Sequence, residues 1–90
     1  MTELRCRGLH LEQLDVTALS ALKLLDCGDN ALSGLALRNE TLEELYCDSN
    51  QLTKLDTRRC TVLQKLYCQK NELTSIFAGQ YKLDSAFLCG

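Results

Sequence analysis

The chain contains no proline and only five glycines in 90 residues, so no stretch reads as a linker between two domains. It has no run of basic residues either. Ten Lys and Arg against twelve Asp and Glu give a formal net charge of −2, which argues against nucleic acid or an anionic membrane as the main partner. Hydrophobic residues make up 46% of the chain, yet none of the apolar runs approaches the ~18 residues that span a bilayer. The start at Met1-Thr2-Glu3-Leu4 shows no signal peptide. His10 is the only histidine, set between Leu9 and Leu11, and no serine or cysteine nucleophile sits in a recognisable elbow. It reads as an exposed turn residue, and the chain as no enzyme, with no cofactor.

What the chain does have is repetition. The motif L-x-x-L-x-C-x-x-N-x-L reads Leu22-Leu25-Cys27-Asn30-Leu32, then Leu42-Leu45-Cys47-Asn50-Leu52, then Leu63-Leu66-Cys68-Asn71-Leu73. The copies start 20 and 21 residues apart. Upstream, Met1, Leu4, Cys6, Leu11 and Leu14 fall in register, with Leu9 at the asparagine position. Downstream, Leu83, Ala86 and Leu88 begin a further copy, with Ala86 replacing a leucine. Two more apolar columns follow the motif: Leu14, Leu35, Leu55 and Ile76, then Val16, Leu37, Thr57 and Ala78. About four units and a terminal strand thus fill residues 1–90 as one domain. Self-similarity at this period predicts a repeat architecture in which each unit buries its apolar face against the next.

Each unit has a physical reading. Leu25-Asp26-Cys27 and Leu45-Tyr46-Cys47 alternate inward and outward, the period of a short strand. Stacked units then demand parallel strands. Where the chain turns after the strand, the inward amides of Asn30, Asn50 and Asn71 can donate to and accept from backbone groups that have run out of ladder partners. Losing one such amide costs roughly 1–3 kcal/mol. A 20–21-residue unit is too short to return as a full helix. Extended segments, turns or a single 3₁₀ turn are expected there, in keeping with Thr53, Thr57, Thr61 and Thr74. Only Ala18–Leu22 would tolerate a helical turn.

The six cysteines do not read as a metal or disulfide framework. Cys6, Cys27, Cys47 and Cys68 share one inward column, a row of roughly 15 Å at sheet spacing, whereas a tetrahedral zinc needs all its ligands about 2.3 Å from one point. Side chains pointing the same way on neighbouring rungs suit the disulfide dihedral poorly. Buried free thiols packing as small hydrophobes are expected. Cys60, which matches Asn39 in the lead-in to a strand, is the thiol expected to be accessible, and Cys89 is expected to point outward; crosslinked dimers could form through either. Glu43, Glu44 and Asp48 read as a solvated face. Asp26-x-x-Asp29-Asn30 lacks the remaining oxygen ligands of a calcium loop, so no metal site is expected.

Aligning the copies also sorts the outward positions into columns. One is Arg5, Asp26, Tyr46, Tyr67 and Phe87; its neighbour is Glu3, Leu24, Glu44, Lys65 and Ser85. Beyond them lie Arg7, Gly28, Asp48, Gln69 and Cys89, then Gly8, Asp29, Ser49, Lys70 and Gly90. Three successive aromatics in one column either stabilise the sheet by cross-strand contact or form a contact surface.

The motif, with Asn50-Gln51-Leu52-Thr53-x-Leu55-Asp56 and the Asn39-x-Thr41-Leu42 lead-in, resembles the leucine-rich repeat family over essentially the whole chain. The likeness is to the short class of bacterial internalin-like proteins, in which a cysteine replaces one strand leucine. That resemblance implies a right-handed, curved, β-solenoid-like fold, with short parallel strands on the concave face and extended or 3₁₀ segments on the convex one. It implies an inward cysteine ladder of Cys6, Cys27, Cys47 and Cys68, and a protein-interaction module at a bacterial surface or secreted as part of a longer protein. The concave residues expected to meet a partner protein are Tyr46, Tyr67, Phe87, Asp26, Arg5, Glu44, Lys65 and Leu24. No capping helix or β-domain is recognisable at either end. That leaves a structural or assembly role through the end faces, with self-association, as the competing reading, an engineered minimal solenoid as a further possibility, and glycan binding as a weaker alternative.

Overall fold

The computed structural model describes residues 1–77 and 87–88. Among these residues seven short strands form in chain order: β1 (Glu3–Arg5), β2 (Leu24–Asp26), β3 (Glu44–Tyr46), β4 (Lys54–Asp56), β5 (Lys65–Tyr67), β6 (Ser75–Phe77) and β7 (Phe87–Leu88). Five of them make a sheet in the order β1-β2-β3-β5-β7, and β4 pairs with β6 in a second, smaller sheet. Every pairing is parallel. There is no helix among the described residues. The architecture is therefore parallel strands joined by turns and extended returns.

The larger sheet keeps the register of the repeat. Leu4 stands beside Leu25, Leu25 beside Leu45, and Leu45 beside Leu66. The hydrogen bonds recur in the same way beyond the strands: the amides of Cys6, Cys27 and Cys47 donate to the carbonyls of Asp26, Tyr46 and Tyr67, each at 2.8 Å. Leu22, Leu25, Leu32, Leu42, Leu45, Leu52, Leu55 and Leu66 are fully buried in one core. Leu4, Leu11, Leu14, Leu19 and Leu73 pack on it while partly exposed.

The register changes at the last strand. Phe87 stands beside Leu66, and Leu88 beside Tyr67, one residue away from the expected match of Phe87 with Tyr67. The backbone register at β7 is thus offset by one residue from that match, and the Phe87 side chain lies outside the described residues. Ala78, Leu83, Ser85, Ala86, Cys89 and Gly90 lie outside the described residues.

The return side is less regular. Asp15 makes an isolated parallel bridge to Ala36 and β4 pairs with β6, but no bridge joins Ala36 to Asp56 among the described residues. A groove lined by Ser33, Gly34, Leu35, Ala36, Thr53 and Lys54 opens there. Bonds from the amide of one residue to the carbonyl three before it close the lead-in turns. They run from Leu19 to Val16 and from Leu22 to Leu19, then from Cys60 to Thr57 and from Leu63 to Cys60. These are turns, and no 3₁₀ helix forms among the described residues.

The second unit is one residue shorter at this point, and a side chain fills in. Asn39 is buried, and its amide Nδ2 donates to the carbonyls of Val16 at 2.9 Å and Leu19 at 3.0 Å in the preceding unit. Cys60 stands at the equivalent place one unit on, and it too is completely buried. This overturns the expectation of an accessible thiol. The lead-in turns its middle residue into the core, so both positions are interior, and burial pushes the Cys60 thiol up to about 11.

Candidate functional site

Four side chains on the strand face come from the same repeat position. Arg5, Asp26, Tyr46 and Tyr67 are register partners along β1, β2, β3 and β5. Glu3, Leu24, Glu44 and Lys65 form the adjacent column. Asp26, Tyr46, Tyr67, Leu24 and Glu44 are half-buried, and Arg5 and Lys65 are exposed. The expected columns therefore exist from β1 to β5.

The two tyrosines are stacked. Their ring centroids lie 5.0 Å apart with planes 14° from parallel, close to the rung spacing of a parallel sheet. The Tyr46 hydroxyl donates to Glu44 Oε1 at 2.5 Å. A carboxylate beside the phenol favours the neutral form, and partial burial adds to this, so the hydroxyl is pushed up to about 12. The hydrogen bond to Glu44 ties the Tyr46 hydroxyl to its own strand. At the open side of the sheet, Arg5 pairs with Glu3 on its own strand.

A second polar cluster borders the stack. The Arg7 guanidinium spans three units: its Nε donates to Asp26 at 3.0 and 3.2 Å, and its Nη1 and Nη2 donate to Asp48 at 3.2 and 2.7 Å. Hydrogen bonds to Asp48 and then Asp26 raise the Arg7 pKa further. Gly28 makes this reach possible, because a Cβ there would sit 2.3 Å from Arg7 Nη2. Asp48, read from the sequence as solvated, is instead held in this bridge with its side chain only 16% exposed. Its signal was available: a basic residue, a glycine and an acid occupy one repeat position in successive units. Gln69 follows in the same column, and its Oε1 is buried without a hydrogen-bond partner.

Beneath the face, the asparagines fasten one unit to the next. Asn50 Nδ2 donates to the carbonyls of Cys27 at 3.0 Å, Cys47 at 3.2 Å and Asp48 at 3.2 Å, while its Oδ1 accepts from the Leu32 amide at 3.0 Å. Asn71 repeats this with Cys47, Cys68, Gln69 and Leu52. Asn30 reaches Cys6, Cys27 and Gly28, and accepts from both Leu9 and Leu11. The residue before each amide has left-handed backbone: φ is 54° at Asp29, 56° at Ser49 and 58° at Lys70, with Gly8 at 71° in the first unit. That shared strain turns each asparagine inward, and residue identity alone did not announce it.

The cysteine row holds three free, buried thiols, Cys6, Cys27 and Cys47. Burial is the main cause that raises all three, taking Cys27 up to about 12. Cys68 departs from the expected free thiol, for it is disulfide-bonded. Among the described residues no group of three or more His, Cys, Asp or Glu could hold a metal. His10 is exposed, with a left-handed φ of 57°. No family model matches this chain, and neither a curated protein nor a solved structure matches it.

Proposed function

We propose that this chain is a short leucine-rich-repeat solenoid, internalin-like in its cysteine spacing, whose strand face is a non-catalytic docking surface for another protein. The observation that carries the reading is the Tyr46–Tyr67 stack on the sheet surface. Aromatic rings with few rotatable bonds lose little entropy on binding, and Tyr is enriched where one protein meets another. Glu44 already holds Tyr46, and the flanking Lys65 and Arg5 supply charge at the rim. Support for the fold part of the proposal comes from the parallel register at the repeat period and from the inward asparagines. A right-handed curve that makes the strand face concave completes the reading, since a concave sheet lets one partner touch several units at once.

Peptides selected from a random library against the intact chain provide the test. The Tyr46→Ala/Tyr67→Ala variant is expected to bind the selected peptides at least roughly tenfold more weakly, about 1.4 kcal/mol, while keeping its cooperative unfolding. Selected peptides that bind the parent and the double variant equally would remove the strand face from consideration.

A further inference from the structure

The outer edge of β1 is self-complementary, and we infer that two copies of this chain pair there, antiparallel, about a two-fold axis through Leu4. The starting point is the direction of the backbone groups. The Cys6 amide donates to Asp26, and the Thr2 carbonyl accepts from Leu24. Groups on one side of a strand alternate by residue. Thr2, Leu4 and Cys6 therefore face β2, and the amides and carbonyls of Glu3 and Arg5 face outward. Among the described residues no strand pairs with that side of β1.

A second copy running antiparallel offers the same two residues. With Leu4 opposite its own symmetry mate, Glu3 stands opposite Arg5 of the second copy, and Arg5 opposite Glu3. Each of these is a hydrogen-bonded pair exchanging two backbone bonds, so the edge gains four. The opposing side chains lie on one face of the extended sheet, and each of the two pairs joins opposite charges. Slipping the register by two residues keeps backbone bonds but places Glu3 against Glu3 or Arg5 against Arg5. Like charges directly opposite are destabilising, so charge selects the symmetric register. Glu3 and Arg5 are free to make the exchange, since their side chains are 53% and 62% exposed and are paired only with each other.

The apolar content of this end points the same way. Leu9 is 60% exposed and Met1 71% exposed. Leu4, Leu11 and Leu14 pack on the core while remaining partly exposed. Leu9 stands where the other units have an asparagine, so this unit presents carbon where its neighbours present an amide. A charged edge of one sign would repel a copy of itself; alternating Glu and Arg around a central Leu does the reverse.

Light scattering across a concentration series is the test. The parent is expected to move from 10.1 kDa toward twice that mass and no further. Glu3→Arg places like charges opposite twice and is expected to weaken the dimer at least roughly tenfold. Glu3→Arg with Arg5→Glu restores both opposite pairs, and the dimer returns, with far-UV circular dichroism unchanged in all three chains. A parent that stays monomeric overturns the inference, as does growth beyond two copies, a dimer that survives Glu3→Arg, or a double variant that fails to recover it.

Discussion

The strand side and the return side of this chain are built from the same number of units but keep order by different means. On the strand side the register is continuous from β1 to β5, and the inward asparagines repeat one set of bonds at each step. On the return side the pairing is interrupted between Ala36 and Asp56, and unit length varies between 20 and 21 residues. Local devices do the work there. Asp15 closes its turn by accepting from the Thr17 amide at 3.0 Å, and Asp56 does so with Arg58 at 3.0 Å. Asn39 bridges to the preceding unit where the turn is short. A ladder that must match its neighbour at each rung cannot absorb an extra residue; a solvent-side return can.

Single-residue insertions should separate the two most widely. An alanine inserted between Asp48 and Ser49 moves Asn50 away from the Cys27 and Cys47 carbonyls and leaves buried groups unpaired, at a cost of more than about 3 kcal/mol. An alanine inserted between Arg38 and Asn39 gives the second unit the length of its neighbours, and is expected to cost less than about 1.5 kcal/mol. Urea denaturation reads both. Equal losses would show that the return is as tightly specified as the ladder.

Alkaline pH tests the same contrast through one thiol on each side. Cys27 on the strand side is raised from an ordinary 9.0 to about 12, and Cys60 in the lead-in from 9.0 to about 11, both chiefly by burial. A raised pKa in the folded state means the unfolded chain loses its proton first. The stability each group contributes is therefore complete below pH 9 and is lost as pH rises toward the folded value. Unfolding midpoints should fall from pH 9 upward. Cys27→Ala is expected to flatten that fall more than Cys60→Ala, because its folded value lies higher. A slope unchanged by Cys27→Ala would mean that Cys27 does not set the alkaline limit.

The strand side was the legible half of the sequence. Leu25, Leu45 and Leu66 fall into register because every side chain on a rung meets its counterpart, so spacing alone predicts the neighbour. The amides of Asn30, Asn50 and Asn71 follow for the same reason. Cys60 was misread because Asn39 and Cys60 lie in lead-ins of different length, where matching positions does not reveal which residue turns inward. Asp48 was misread because its partner Arg7 is two units away and reaches it only across Gly28. The backbone register of β7 differs by one from the expected match, in a copy where Ala86 replaces leucine. For Cys60 and Asp48 the missing information was the direction of a side chain, not its position in the repeat.

Glycine substitutions give the smallest effect and the sharpest sign. Gly8 and Lys70 share one left-handed position in the strand-side turn, with φ of 71° and 58°. Left-handed backbone costs an L-residue roughly 1–2 kcal/mol, and glycine returns about half of that as lost chain entropy. Gly8→Ala is expected to destabilise by about 1 kcal/mol, and Lys70→Gly to stabilise by about 0.5 kcal/mol. Gly34 on the return side is not in that backbone region, and a Cβ there meets no atom within 4 Å. Gly34→Ala should therefore stabilise by about 0.4–1 kcal/mol, by narrowing the unfolded ensemble without strain. The same Gly→Ala change thus carries opposite signs on the two sides, and urea midpoints resolve it. If both changes destabilise, Gly34 is held by a constraint of its own, and the return is more ordered than its broken pairing implies.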